Sequence, residues 1–143
     1  MVRFGIVGTG KITEEFVMSA RASGVAVPVA VYSRTEKTGR AYAQAHGLPH
    51  AFSSLVDMVE SGHVDAVYIA SPNAVHAEQA RICLSRGMPV LMEKPAASNA
   101  EALEAVLALA KEHRVLFMEA LKSTLVPAFA RVQSLLPELG AIR

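Results

Sequence analysis

Short, unbroken apolar runs alternate along this sequence with longer segments whose apolar residues recur every three or four positions. The first pattern predicts strands buried on both faces of a parallel sheet, and the second predicts amphipathic helices. Phe4, Ile6 and Val7 form the first run, which Gly8-Thr9-Gly10 breaks. Ile12, Phe16, Val17 and Ala20 then predict a helix over Lys11 to Ser23, stopped by Gly24. Val25 to Tyr32 reads as a second strand, with Pro28 placed at its start because proline removes a ladder donor. Thr35 is an N-cap for a helix to His46, closed by Gly47 and Pro49. Ala51-Phe52 is a very short third strand, and Ser54 to Asp57 is a capping box for a short helix ending at Gly62. Asp65 to Ala70 reads as a buried strand. Ala74 to Arg86 follows as a helix with Asn73 at its N-cap, and Val90 to Met92 as the next strand. Ser98 to Glu101 is a second capping box, before a helix to His113; Val115 to Met118 is the last strand and Val126 to Leu136 a final helix. This alternation predicts an α/β fold, a Rossmann-type doubly wound parallel sheet in three layers.

Composition narrows the class further. With 143 residues, 52% hydrophobic and 19% charged, the chain has the length and make-up of one ordinary globular domain. A net charge of +1, with Lys and Arg scattered, gives no electrostatic case for nucleic acid or an anionic membrane. No apolar run approaches the length of a membrane span, and the first strand begins at once, without the layout of a signal peptide. Cys83 is the single cysteine, so no intrachain disulfide forms; it falls in a helical apolar stretch and is expected in the core. The expected location is cytoplasmic.

In a parallel sheet of this kind, ligands bind just past the carboxyl ends of the strands. Polar residues gather there: Gly8 to Gly10, Ser33-Arg34, Ser71-Pro72-Asn73, Glu93-Lys94-Pro95 and Glu119. A glycine turn opening a helix aims free N–H groups and the positive end of the helix dipole at an anion, as a pyrophosphate site requires. The contacts expected there are Gly8, Thr9, Gly10, Lys11 and Ile12. The full G-x-G-x-x-G/A fingerprint is broken by Thr13 at the sixth position, which should push the helix off the strand or tilt it. A glycine turn that merely connects strand to helix is the alternative. After the second strand, an NAD site wants an acid, whereas Ser33 and Arg34 suit a 2′-phosphate. NADP is therefore favoured; Lys37 adds to it, and Glu36 leaves NAD open. His46, His50, His63 and His113 lack partners at metal-ligand spacing, and no Ser-His-Asp or Cys-His arrangement is present.

Three segments together are more specific than the glycine turn. D-A-V-Y-I-A-S-P-N-A-V-H-A-E (65–78), V-L-M-E-K-P (90–95) and F-M-E-A (117–120) resemble the Gfo/Idh/MocA oxidoreductases, over essentially the whole chain. M-E-A-L-K-S (118–123) with Pro127 is similar to the dihydrodiol dehydrogenase-like branch. The resemblance implies an NAD(P)-dependent enzyme that moves hydride between a nicotinamide cofactor and a sugar, polyol or diol. It assigns catalysis to Lys94 and His76, the nicotinamide ribose to Glu93, and the cofactor wall to Ser71, Pro72 and Asn73; Glu119 joins the cofactor-binding set. It also implies a cofactor domain over residues 1–123, then 124–143 as a helix and the start of a connection to a C-terminal substrate domain that lies outside this sequence. The expectation is a homo-oligomer at full length, and a 143-residue chain that binds dinucleotide without turnover. Two other classes compete. A dinucleotide-binding module without catalysis, such as a redox sensor or assembly partner, has no need of Lys94; an S-adenosylmethionine-dependent methyltransferase would want an acid where Ser33-Arg34 stands.

Overall fold

A computed structural model describes residues 1–139. Its strands are β1 (Val2–Val7), β2 (Ala26–Tyr32), β3 (His50–Phe52), β4 (Ala66–Ile69), β5 (Val90–Met92) and β6 (Phe117–Glu119). Between them run α1 (Lys11–Ser23), α2 (Glu36–His46), α3 (Leu55–Glu60), α4 (His76–Leu84) and α5 (Ala100–His113), with α6 (Pro127–Leu135) after the last strand. All strand pairs are parallel and lie in the order β3-β2-β1-β4-β5-β6. Chain direction across the sheet therefore reverses between β1 and β4, the switch point at which such sheets open a crevice.

The two faces of the sheet explain why the strands are apolar throughout. Ile6, Val31 and Tyr68 pack with Val17 of α1 and Tyr42 and Ala43 of α2. Val7, Val67 and Ile69 point the other way, toward Met58 of α3, Leu84 of α4 and Val106 of α5. Each such large side chain, fully buried, contributes about 1.5–3 kcal/mol. Phe16 of α1 lies flat on Tyr68 with ring centroids 3.8 Å apart, and Phe4 meets it edge-on at 5.3 Å. Cys83 is buried as expected, which pushes its thiol up to about 12.

Several local expectations shift. Pro28 is third in β2 rather than at its start. The β1–β2 register slips there, pairing Phe4 with Pro28 but Gly5 with Ala30, and an irregularity tolerates a residue without an N–H. Asn73 does not cap a helix with its side chain. It opens a 3₁₀ turn, Asn73–Val75, that closes on Pro72 O, and α4 starts only at His76 and stops at Leu84. The cap of α5 is Asn99, whose side chain accepts from Ala102 N at 2.8 Å, rather than Ser98. Thr35 and Ser54 cap α2 and α3 as predicted. No residue of α6 is buried, and Phe129 and Val132 are exposed.

At the opposite end of the sheet from the switch-point crevice, charge and imidazole chemistry govern pH response. Asp65 accepts from Arg3 Nη2 at 2.6 Å, Nε at 3.0 Å and the backbone N at 2.9 Å, which holds its carboxyl at about 2. The His50 and His63 rings stack at 3.8 Å; burial, then repulsion from His63, keeps His50 below the ordinary histidine value. The folded state thus binds fewer protons than the unfolded chain at both places. Stability should fall as pH drops below about 6.5, the unperturbed histidine value, and again as it passes from the unfolded Asp65 value toward about 2. Urea midpoints measured across this range should show the upper step, and His50→Asn should flatten it. A midpoint constant between about pH 7.5 and 5 would contradict the assignment.

Candidate functional site

The crevice begins where the chain leaves β1. Gly8 has φ +114°, and a Cβ there would lie 2.7 Å from the carbonyl oxygen of Ala70, at the end of β4. Only glycine lets the two strand ends come this close. Gly10 is the N-cap of α1 in extended conformation and offers no side chain to the helix; Thr13 N donates to Gly10 O at 3.1 Å, so the first-turn amides left for a ligand are those of Lys11 and Ile12. A Cβ on Gly10 would meet no atom within 4 Å, which leaves open space directly in front of those amides. Thr13, the departure from the fingerprint, is fully buried. Its hydroxyl donates to Gly10 O at 2.5 Å and accepts from Tyr42 OH at 3.1 Å. Thr13 is thus held by hydrogen bonds on both sides, and burial raises the Tyr42 phenol above its usual value.

Two hollows lie beyond the strand ends. The first, about 750 Å³, is lined by Gly8, Thr9 and Gly10 on one side, by Ser33 and Arg34 after β2, and by Pro72. Thr35 and Thr38 from the start of α2 join the polar end, while Leu55 and Ile82 supply apolar surface. Glu36, which could have faced a ribose, is turned into its own helix and pairs with Arg40 Nε at 2.9 Å and Nη2 at 2.6 Å. The second hollow, about 540 Å³, is lined by Ile12, Asn73, His76, Glu93 and Lys94. Ala70 and Ser71 line both, so the two form one trough across the switch point. Lys11 and Glu119, also expected at the cofactor, line neither. Lys122 and Ser123, in the 3₁₀ turn after β6, line the second hollow and were not foreseen as site residues, although their place just past a strand was the available signal.

The turn that carries Lys94 is fastened residue by residue. Glu93 N donates to Ile69 O at 2.8 Å, and Tyr68 OH donates to Glu93 Oε1 at 2.8 Å. Burial, then this bond and the charge of Glu93, push the Tyr68 phenol above its ordinary value, so it remains a donor. The Lys94–Pro95 peptide is cis. His76 is 1% exposed, with Nδ1 2.9 Å from Pro95 O and Nε2 2.8 Å from Ser71 O. A neutral imidazole carries one N–H, so His76 donates to one of these two carbonyl oxygens and lies against the other, which sets it between the Ser71 and Pro95 loops while it still lines the second hollow. Glu119 is turned away from the trough: its Oε1 accepts from Ala96 N at 2.8 Å. Lys94 itself is exposed at the lip. Among the described residues no cluster of His, Cys, Asp and Glu could hold a metal ion, and no helix is long and apolar enough to cross a membrane.

This trough agrees with what the chain is similar to. Residues 2–121 match the family described as an oxidoreductase family with an NAD-binding Rossmann fold. Over 143 residues the chain is 43% identical to the scyllo-inositol 2-dehydrogenase (NADP(+)) IolU of Bacillus subtilis, covering all of this chain and 44% of that protein. It is 31% identical to a trans-1,2-dihydrobenzene-1,2-diol dehydrogenase of Xenopus tropicalis, over 95% of this chain and 42% of that one. The fold superposes with a TM-score of 0.87 on KijD10, a 3-ketoreductase from Actinomadura kijaniata solved with NADP and TDP-benzene, at 27% identity, over 96% of this chain and 42% of that one. The chain thus spans less than half the length of these relatives.

The two glycines of the turn should respond differently to a single methyl group. Gly8→Ala should lower stability by about 1–3 kcal/mol, because it meets both a strained φ and the Ala70 carbonyl. Gly10→Ala, facing open space, should change it by less than about 1 kcal/mol. Equal denaturation midpoints for the two variants would show that the close approach of β1 and β4 does not constrain the fold.

Proposed function

The chain belongs to the Gfo/Idh/MocA oxidoreductase family, and on that premise we propose that it binds NADP(H) along the trough as the cofactor-holding part of a dehydrogenase. The reaction is hydride transfer between the nicotinamide and an alcohol or ketone of a sugar, polyol or diol. One observation carries this reading: Ser33-Arg34 and Lys94 stand on two hollows joined through Ala70 and Ser71, with the open helix terminus of α1 between them. That spacing of groups suits an elongated ligand with an anionic middle. The empty space before Gly10 and the uncapped start of α1 fit a pyrophosphate. On this reading residues 1–123 are the cofactor domain and 124–143 lead out of it.

Each residue then has a physical task. Arg34 offers a bidentate donor pair to a 2′-phosphate, with Ser33 beside it. Glu93, held on one oxygen by Tyr68, presents its other oxygen as an acceptor for a ribose hydroxyl. The bound cofactor supplies or accepts the hydride. Lys94 donates a hydrogen bond to the substrate oxygen, stabilising the charge that builds there, and holds the proton that accompanies the change. His76 serves this chemistry by fixing the loops around Lys94. The NADP in the names of IolU and the KijD10 complex supports the cofactor choice, and the inositol and diol in the names of the relatives support the substrate class.

Calorimetric titration with NADPH and NADH tests the reading. Arg34→Ala should weaken NADPH by about 1.5–3 kcal/mol, or roughly ten- to a hundredfold, and leave NADH little changed. Equal losses for both would refute the 2′-phosphate assignment. Gly10→Val, which puts a branched side chain before the first-turn amides, should abolish binding of both while the far-ultraviolet spectrum stays native. Failure of the unaltered chain to bind either dinucleotide would overturn the proposal.

A further inference from the structure

The turn bearing Lys94 is held from three separate elements, and each polar contact falls on a residue flanking the lysine rather than on the lysine. Tyr68 of β4 fixes the Glu93 side chain at 2.8 Å. His76 of α4 contacts Pro95 O at 2.9 Å. Glu119 of β6 receives Ala96 N at 2.8 Å. Ala96 is 3% exposed, so without Glu119 its N–H would be buried and unpaired, a state the turn can relieve only by moving. Glu119 is well placed to resist that movement. The next residue, Ala120, donates its N–H to Met92 O at 2.7 Å, which locks the end of β6 against β5, the strand that feeds the turn.

We infer that Glu119 is a positioning residue for the nicotinamide end of the trough, acting through Ala96 on Glu93 and Lys94, with Tyr68 and His76 as the other two points of the same clamp. This rests on the dinucleotide reading above and goes beyond it, because it separates the two ends of the ligand. Ser33, Arg34 and the start of α2, which build the adenosine end, bond neither Glu119 nor Tyr68; the clamp meets the first hollow at Ser71, whose carbonyl oxygen lies 2.8 Å from His76 Nε2. Loss of Glu119 should therefore be felt by a ligand that reaches Glu93 and Lys94 and not by one that stops short. A carboxylate contacting the cofactor directly would behave otherwise, since neutralising it would cost binding even where the shape is kept. Glutamine in its place keeps an oxygen that can accept from Ala96 N.

The test compares NADPH with adenosine 2′,5′-bisphosphate, which lacks the nicotinamide riboside, by calorimetry on the full chain. Glu119→Ala should weaken NADPH about tenfold, the loss of roughly one good hydrogen bond, and leave the bisphosphate unchanged. Glu119→Gln should restore NADPH affinity. Tyr68→Phe keeps the ring on Phe16 and should reproduce the selective loss, which also decides the matter should Glu119→Ala unfold. Unaltered NADPH affinity in both variants, equal loss for both probes, or a Gln variant as weak as the Ala variant would each overturn the inference. Absence of NADPH binding by the unaltered chain would overturn the dinucleotide reading itself, and this assignment with it.

Discussion

The open end of the sheet depends on how closely the chain leaving β1 passes the end of β4. Val7 and Ile69 are paired partners in register, and one residue later Gly8 has no room for a Cβ beside Ala70 O. From there the two connections part, with α1 packing on one face and α4 on the other. A side chain at Gly8 would wedge the strand ends and fill the mouth of the crevice. The space of the trough therefore comes from a packing constraint before any polar group is placed around it. The helix terminus, Ser33-Arg34 and the Lys94 turn are placed around a space that the missing side chain leaves open.

Buried polarity follows the same logic. Among the described residues the buried polar side chains are Thr13 and His76, one beneath the glycine turn and the other beneath the Lys94 turn. Burying such groups is unfavourable unless they are hydrogen-bonded; Thr13 is bonded at two points, and His76 lies between two carbonyl oxygens, one of which takes its N–H. No buried side-chain nitrogen or oxygen among the described residues lacks a partner. Elsewhere the core is apolar, so polar groups are placed inside only where a loop of the trough has to be held still. Hydrogen-bonded buried polarity thus lies under the two turns that edge the trough.

Much of this was legible in the sequence where the signal is local. The limits of α1, the Thr35 and Ser54 caps and the run of buried strands follow from spacing and from side chains that bond their own neighbours. The strand ends also marked which segments would meet. What stayed hidden was direction. Glu119, His76 and Tyr68 each bond a residue 19 to 25 positions away, and no local pattern says whether a polar residue at a strand end faces the trough or the next turn. The capping box put the α5 cap at Ser98, and the structure has it one residue on, at Asn99, whose side chain accepts from Ala102 N. Asn73 follows a proline in a turn that tightens to 3₁₀ before the helix begins, which a capping rule alone does not register. Thr13 looked like a defect because its hydrogen-bonding partner, Tyr42, lies in the next helix.

The two ends of the trough are built to different tolerances, and this bears on cofactor choice. Arg34, Thr35 and Thr38 are exposed, so the adenosine end can change without disturbing the core. There the competing acid is Glu36, which the sequence left free to serve an NAD ribose. It pairs instead with Arg40 four residues on, with both side chains largely exposed. An exposed helical pair of this kind is worth only about 0.3–0.5 kcal/mol, so it restrains Glu36 weakly. A charged hydrogen bond from Arg34 to a 2′-phosphate is worth about 1.5–3 kcal/mol. Under the proposed reading, the preference for NADP is therefore set by what Arg34 gains rather than by what Glu36 is prevented from doing.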